Sequence, residues 1–184
     1  MVNNENETHN LFIKGEKLRS EKKFSEAILI FKKILVNKPD YIPALNNIGM
    51  SYEGLNDFEK AEYYYLKCLN VFPNELIPIN NLNRLYFSTK HYKKAVPLFE
   101  RSLKIKPDQK IIAEMMVESL FNIGLIKETN FFSVQALKRY PDSKYIKYFY
   151  GKNLLKIGKH KQGLKLIESL VGMIEFNEKG FIIK

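Results

Sequence analysis

Several residue types are scarce in this chain, and each scarcity excludes a class of protein or bond. The 184 residues include one cysteine, Cys68, so no internal disulfide can form. The apolar runs are short and are broken by Lys, Asn or Glu, a pattern that excludes a membrane-spanning helix. The first ten residues, MVNNENETHN, lack the basic start and apolar core of a signal peptide. Together these features predict a cytoplasmic protein.

Arginine is also scarce, although the formal net charge is +10. Only four residues are arginine, and lysine supplies nearly all of the positive charge. A basic chain invites a nucleic-acid interpretation. Lys, Asn, Ile, Tyr and Phe are all plentiful, however, as expected from an AT-rich coding sequence. We therefore interpret the charge as a solvated lysine surface and keep RNA binding as an alternative.

Sequence motifs for catalysis and cofactor binding are absent. The chain contains no GxGxxG, GxxxxGK[ST], HExxH or GxSxG pattern. Its three histidines, His9, His91 and His160, lie far apart and without the spacing of metal ligands. We therefore predict no enzymatic activity, no cofactor and no metal site.

The sequence that is present repeats with a period of 34 residues. Four prolines recur at this spacing, at Pro39, Pro73, Pro107 and Pro141. Small and aromatic residues recur in register with them, in a glycine column (Gly15, Gly49, Gly151), an alanine column (Ala27, Ala61, Ala95) and an aromatic column (Phe31, Tyr65, Phe99). This period divides the chain into five units, at 8–41, 42–75, 76–109, 110–143 and 144–177.

Each unit has the pattern of two amphipathic helices. In residues 42–75, apolar side chains fall at helical spacing on both sides of the turn sequence GLND. Asn56 or Asp57 is placed to cap the second helix, and Pro73 ends it because proline cannot continue a helix. Gly49 and Ala61 are small enough to let the two helices approach closely.

This pattern resembles the tetratricopeptide repeat over residues 8–177. The resemblance implies an all-α, right-handed superhelical α-solenoid of about five helix–turn–helix repeats. Six residues depart from the family pattern: Asn83 in the third unit, Val117, Thr129 and Ser133 in the fourth, and Gly163 and Glu175 in the fifth. His160 falls in the column of turn aromatics, and we expect it to be packed. Pro97 lies inside a helix and predicts a bend near Lys93.

The two ends fall outside the repeats. Residues 1–7 are predicted to be a polar tail and residues 178–184 a C-terminal tail. The segment 173–184 has two β-prone runs and predicts a hairpin with Gly180 in its turn. Its apolar residues either cap the last repeat or form a contact with another chain.

The resemblance also implies where a partner would bind. In this family the first helix of each repeat lines a concave groove that holds peptides. The corresponding residues here are Asn46, Asn47, Met50, Asn80, Asn81, Arg84, Phe87, Glu114, Phe121 and Tyr148, with Glu53, Glu118 and Lys152 beside them. Asn47 and Asn81 match the asparagine ladder of some members, because a side-chain amide can donate to and accept from a peptide backbone. Arg84 could bind a carboxylate with two hydrogen bonds.

One known subtype of the family is not indicated. Members that grip acidic C-termini need a Lys and an Asn in the first repeat, where this chain has Phe12 and Glu16. The Lys and Arg expected in the third repeat are replaced by Ile77 and Asn81. The sequence therefore does not predict a clamp for a chain-terminal carboxylate.

The function predicted from the sequence is a non-catalytic module that binds an extended segment of a partner protein. One alternative is a structural or assembly protein that forms homodimers through the apolar C-terminal tail. RNA association is a weaker alternative, because the net charge of the five units alternates between −3 and +5 instead of forming a continuous basic stripe. No membrane partner is predicted.

Overall fold

The computed structural model shows an all-helical repeat architecture followed by one pair of strands. It describes the backbone of residues 2–170, 174–177 and 180–183, and the side chains of residues 5–170. The helices are α1 (Val2–Ser20), α2 (Phe24–Asn37), α3 (Ile42–Gly54), α4 (Phe58–Val71), α5 (Leu76–Ser88), α6 (Tyr92–Ile105), α7 (Lys110–Asn122), α8 (Ile126–Arg139), α9 (Lys144–Lys156) and α10 (His160–Glu168). The strands are β1 (Ile174–Asn177) and β2 (Gly180–Ile183).

Helix lengths and ends follow the period of the sequence. The helices α3, α5, α7 and α9 each have 13 residues, and α2, α4, α6 and α8 each have 14. In α4, Asp57 is the N-cap and accepts a hydrogen bond from the Lys60 amide at 3.2 Å, which confirms one of the two predicted caps. The helix ends at Val71, two residues before Pro73.

A left-handed residue recurs at the end of each first helix. Positive φ angles occur 34 residues apart, at Lys22, Asn56, Lys90, Gly124 and Gly158. One residue in this conformation ends a helix and redirects the chain. The conformation is thus a property of the repeat, although only the last two positions carry glycine. Lys22 and Lys90 occupy two of the other positions, and lysine in a sequence does not indicate a positive φ angle.

The chain divides into two compact units, the first of which is Met1–Thr89 with α1 to α5. Within it each helix packs on the next, and α3 also packs on α1 and α5. Ala27, Phe31, Ala61 and Tyr65, from the alanine and aromatic columns, are fully buried. A Cβ atom at Gly49 would lie 2.5 Å from the Tyr65 ring, so only glycine fits there without a shift of the ring.

The second unit is Lys90–Lys184, with α6 to α10 and the two strands. Each helix packs on the next, and α7 also packs on α9. Val117 and Ser133, two departures from the repeat pattern, are both fully buried. Val117 replaces the small residue of the first helix, and Ser133 replaces the aromatic residue of the second. Within the fourth repeat, a larger residue therefore stands at the small position and a smaller residue at the aromatic position, and both positions remain in the core.

Three sequence-based predictions need correction. The helix α1 begins at Val2, so most of the segment predicted as a tail over residues 1–7 is helical. That segment has no proline or glycine, and Glu5 favours the helix N-terminus electrostatically. His160 is exposed at the start of α10 and is not packed. Gly180 lies in β2 and pairs with Asn177, so it is not in the turn.

The predicted hairpin itself is confirmed, because β1 and β2 pair in antiparallel register. The side chains of the tail lie outside the described residues, so its capping or dimer contact stays a prediction. The helix α6 runs continuously through Pro97. The bend near Lys93 also stays a prediction.

Candidate functional site

In the first unit, predicted site residues of α3 and α5 form one hydrogen-bonded group. The Nδ2 atom of Asn81 donates to Oδ1 of Asn46 at 2.7 Å, and Nη1 of Arg84 donates to Oδ1 of Asn81 at 3.0 Å. Asn46 also lies 3.6 Å from the Met50 sulfur through its Nδ2 atom. The asparagine–arginine network, as it is called below, consists of these three residues, Asn46, Asn81 and Arg84, together with Glu53.

Glu53 of α3 holds the exposed end of this network. Its carboxylate oxygens accept from Nη2 of Arg84 at 3.2 and 3.3 Å. The same carboxylate accepts a hydrogen bond from the hydroxyl of Tyr65, which is fully buried. Burial, followed by the bond to Glu53, raises the pKa of Tyr65 well above its usual range, so this phenol stays neutral. The side chain of Arg84 remains 48% exposed, so part of its guanidinium faces solvent.

Helical spacing explains why these side chains meet. Asn46, Met50 and Glu53 lie four and three residues apart on α3, and so share one face of the helix. Asn81 and Arg84 are three residues apart on α5, which packs against α3. Two successive first helices therefore present their polar faces to each other.

The asparagine pair seen in the structure differs from the pair expected from the family pattern. Asn81 bonds to Asn46 and not to Asn47. The Nδ2 atom of Asn47 donates to the carbonyl oxygen of Pro43, one turn earlier in its own helix, at 2.9 Å. Asn80 and Phe87 are half-buried on the same helix as Asn81. A role for Asn47 in a peptide ladder stays a prediction.

In the second unit, a different group of predicted residues comes together on α7 and α9. The Nζ atom of Lys152 lies 5.1 Å from the ring centre of Phe121 and 5.2 Å from that of Tyr148. The Nζ atom of Lys156 lies 4.1 Å from the ring centre of Phe121. These are cation–π distances. Phe121, Tyr148, Lys152 and Lys156 are called the lysine–aromatic cluster below.

Lys156 is the residue of this cluster that the sequence did not indicate. It lies one helical turn after Lys152, and this spacing could have suggested it. Phe121 is only 7% exposed, and both lysines lie over its ring. It therefore supports the lysines and offers little open surface of its own.

The two predicted glutamates of α7 bond to residues at the N-terminal end of α9. Glu114 accepts from the Ser143 hydroxyl at 2.7 Å, and Ser143 caps the N-terminus of α9. Glu118 accepts from the hydroxyl of Tyr145. Burial raises the pKa of Glu118, while the hydrogen bond from Tyr145 and the positive charge of Lys152 partly oppose that rise.

The raised pKa of Glu118 predicts a pH-dependent effect of the Glu118→Gln substitution. The folded protein binds the Glu118 proton more tightly than the unfolded chain does. The ionised carboxylate therefore lowers the free energy of unfolding at high pH, and this loss of stability disappears as the pH falls toward the ordinary pKa of 4.5. We expect Glu118→Gln to be most favourable, relative to wild type, near pH 8. The advantage should shrink as the pH approaches 4.5.

Urea unfolding of both proteins at several pH values measures this difference. Exposed Glu128, changed to glutamine, is the matched control, and it should show no such trend. A Glu118→Gln advantage that grows as pH falls would contradict the assignment.

No metal-binding group is found in the described part of the chain, where no three His, Cys, Asp or Glu side chains gather suitably. Cys68 is buried in α4, and burial raises the pKa of its thiol to about 12. At neutral pH this thiol is therefore protonated and unreactive. Among the described residues, no helix is both long and apolar enough to cross a bilayer.

Solved structures with the same fold cover most of this chain. MamA from AMB-1 matches with a TM-score of 0.77 and 16% identity, over 88% of this chain and 88% of its own. MamA from Desulfovibrio magneticus RS-1 matches with a TM-score of 0.77 and 15% identity, over 89% and 92%. YrrB, described as a TPR (tetratricopeptide repeat) protein with an unusual peptide-binding site, matches with a TM-score of 0.76 and 15% identity, over 86% and 81%.

At these identities the structural likeness concerns the fold alone. It confirms the predicted all-α fold class, a solenoid of helix–turn–helix repeats. No curated protein is detectably similar to the chain in sequence. Two sequence profiles, each described as a tetratricopeptide repeat, match residues 42–75 and 80–109. The chain therefore contains tetratricopeptide repeats.

Proposed function

We propose that this protein is a non-catalytic interaction module that binds an extended segment of a partner protein on the polar face of α3 and α5. The repeat fold supports an interaction role, and YrrB, a relative in fold, is itself described as having a peptide-binding site. The observation that carries the proposal is the asparagine–arginine network, which joins the first helices of two successive repeats through side-chain amides.

The chemistry of the network suits a peptide backbone. Each asparagine amide has two N–H donors and a carbonyl oxygen that accepts twice, so the bonds to Asn46 and Arg84 use only part of the capacity of Asn81. A peptide N–H or C=O group can take the remainder whatever side chain it carries. The network thus favours an extended chain over a particular sequence.

Arg84 adds selectivity for one polar group of the peptide. Its guanidinium already bonds to Asn81 and Glu53, which fixes its orientation before a partner arrives. The exposed part of the fork can then donate to a carbonyl or carboxylate of the peptide. A preformed orientation reduces the conformational entropy lost on binding.

A peptide selected from a random library against the wild-type protein provides the test. We expect Arg84→Ala to weaken binding of that peptide about tenfold or more, because a charge-assisted hydrogen bond contributes about 1.5–3 kcal/mol. Exposed Lys33 of α2, changed to alanine, removes the same charge from the first unit and should leave the affinity within about twofold. Fluorescence anisotropy measures both, and circular dichroism confirms that both variants fold.

Two results would refute the proposal. The first is a library that yields no binding peptide for the wild-type protein. The second is a peptide whose affinity Arg84→Ala and Asn81→Ala both leave unchanged. Self-association through the C-terminal tail remains the alternative expected from the sequence.

A further inference from the structure

The net charge of the protein is confined to one of its two compact units. In Met1–Thr89, 11 Lys and Arg residues balance 11 Asp and Glu residues. In Lys90–Lys184, 19 Lys and Arg residues face only 9 Asp and Glu residues, which leaves the entire formal charge of +10 there. The net charge alternates from one repeat to the next, so a count by repeats does not reveal that the excess lies in the second unit. A partner of the second unit therefore meets a strongly positive field.

Within the second unit, the lysine–aromatic cluster places two of these charges against aromatic rings. The ammonium group of Lys152 lies over the rings of Phe121 and Tyr148, and that of Lys156, an exposed residue, lies over the ring of Phe121. Neither lysine forms an ion pair with a carboxylate among the described residues, although Glu118 is near enough to Lys152 to interact electrostatically. Two oriented ammonium groups of this kind lose less side-chain entropy on binding an anion than two free lysines.

The spacing of the two lysines matches an extended acidic chain. They are four residues apart on α9, so their backbone positions are separated by about 6 Å along the helix. In an extended peptide, side chains two residues apart lie on the same side and are separated by about 6.6–6.8 Å. Acidic residues at alternate positions of a peptide could therefore reach both ammonium groups at once.

We propose that the lysine–aromatic cluster binds an acidic segment of a partner protein, through side-chain carboxylates at alternate positions that pair with Lys152 and Lys156. This proposal rests on the proposed function in that the ligand is again an extended peptide. It differs in locating an acidic part of the ligand on the second unit. The negative charge would come from side chains and not from a chain terminus.

An acidic peptide fits this surface better than a nucleic acid does. Glu118 of α7 interacts with Lys152 of α9, so negative charge lies beside one of the two positive groups. A nucleic acid carries a charge at every phosphate and would be repelled where it passes this carboxylate. A peptide can place an uncharged residue between two acidic ones at that point.

The test uses a fluorescent, C-terminally amidated peptide of alternating Glu and Ser, with an alternating Gln and Ser peptide and an oligouridine RNA as comparison probes. We expect the wild-type protein to bind the Glu–Ser peptide and the Lys152→Gln/Lys156→Gln variant to bind it at least about tenfold more weakly. The matched control is Lys161→Gln/Lys165→Gln, which changes two exposed lysines at the same spacing on α10. The control should lose less than about threefold.

Four results would overturn the inference. Equal losses in the two double variants would show only a general effect of charge. Tighter binding of the RNA, lost in the Lys152→Gln/Lys156→Gln variant, would assign the cluster to nucleic acid. Binding of the Gln–Ser peptide as tight as that of the Glu–Ser peptide, or no binding of either, would remove the role of carboxylates.

The Arg84→Ala variant separates this inference from the proposed function. If Arg84→Ala loses the library-selected peptide while the Lys152→Gln/Lys156→Gln variant still binds the Glu–Ser peptide normally, the first proposal stands and this one fails. If only the lysine variant has an effect, the acidic site stands and the site on α3 and α5 fails.

Discussion

Replacing Tyr65 by alanine is expected to lower the free energy of unfolding by about 3–5 kcal/mol, the largest effect we predict for a single substitution. The side chain is fully buried, and its ring fills the space beside Gly49, where a Cβ atom would come within 2.5 Å. Because α3 and α4 pack on each other at this contact, they cannot close the cavity without moving the whole helix pair. The hydroxyl bond to Glu53 is lost as well.

Two matched substitutions separate the contributions of Tyr65. Tyr63→Ala changes the same residue type two positions earlier in α4, where the side chain is 60% exposed, and should cost less than about 1 kcal/mol. Tyr65→Phe keeps the ring and removes only the hydroxyl, so we expect a loss of about 1 kcal/mol. Urea unfolding followed by circular dichroism measures all three. A Tyr65→Ala loss no larger than that of Tyr63→Ala would contradict the packing of this ring between α3 and α4.

Buried residues of the repeat columns, such as Tyr65, are the part of the structure that could be predicted from the sequence. Tyr65 shares a column with Phe31 and Phe99, and the 34-residue spacing alone placed all three on the inner face of a second helix. Helix positions and core columns are predictable because each repeat makes the same contacts with its neighbours. A single sequence with four prolines in register therefore shows the same pattern of helices and core residues several times.

The polar partners could not be predicted in the same way. The family pattern favoured Asn47 beside Asn81, yet the amide of Asn47 bonds to its own helix and Asn46 takes the place beside Asn81. Adjacent positions on a helix differ by about 100° in direction, so the choice depends on how the two helices are rotated against each other. Periodicity gives the positions of helices and leaves these rotations open.

Departures from the pattern show the same limit, and Gly163 is the clearest case. Alanine is the residue expected there, and in an exposed helix alanine is favoured over glycine by about 1 kcal/mol. In the structure, however, Gly163 of α10 faces Gly151 of α9. A Cβ atom at Gly163 would lie 2.8 Å from the Gly151 carbonyl oxygen and 2.9 Å from a methyl group of Leu155. The two glycines together let α9 and α10 approach more closely than a methyl group allows.

Restoring the expected residue should therefore destabilise the protein. We expect Gly163→Ala to lower the free energy of unfolding by up to about 2 kcal/mol, because the cost of overpacking, about 1–3 kcal/mol, outweighs the gain in helix propensity of about 1 kcal/mol. Backbone cannot rotate out of the way as a flexible side chain can, so α10 has to move as a body. The substitution tests whether the close approach of the helices, and not the local helix, determines the residue at this position.

Exposed Gln162, the preceding residue of α10, provides the control for this test. Gln162→Ala should change the free energy of unfolding by less than about 0.5 kcal/mol, because it alters an exposed helical position and no packing. Thermal and urea unfolding of the two variants give the comparison. If Gly163→Ala were more stable than wild type, the helix pair must separate without cost, and the short backbone contact would not constrain the fifth repeat. A loss confined to Gly163→Ala would instead show that the glycine is required by the contact with α9.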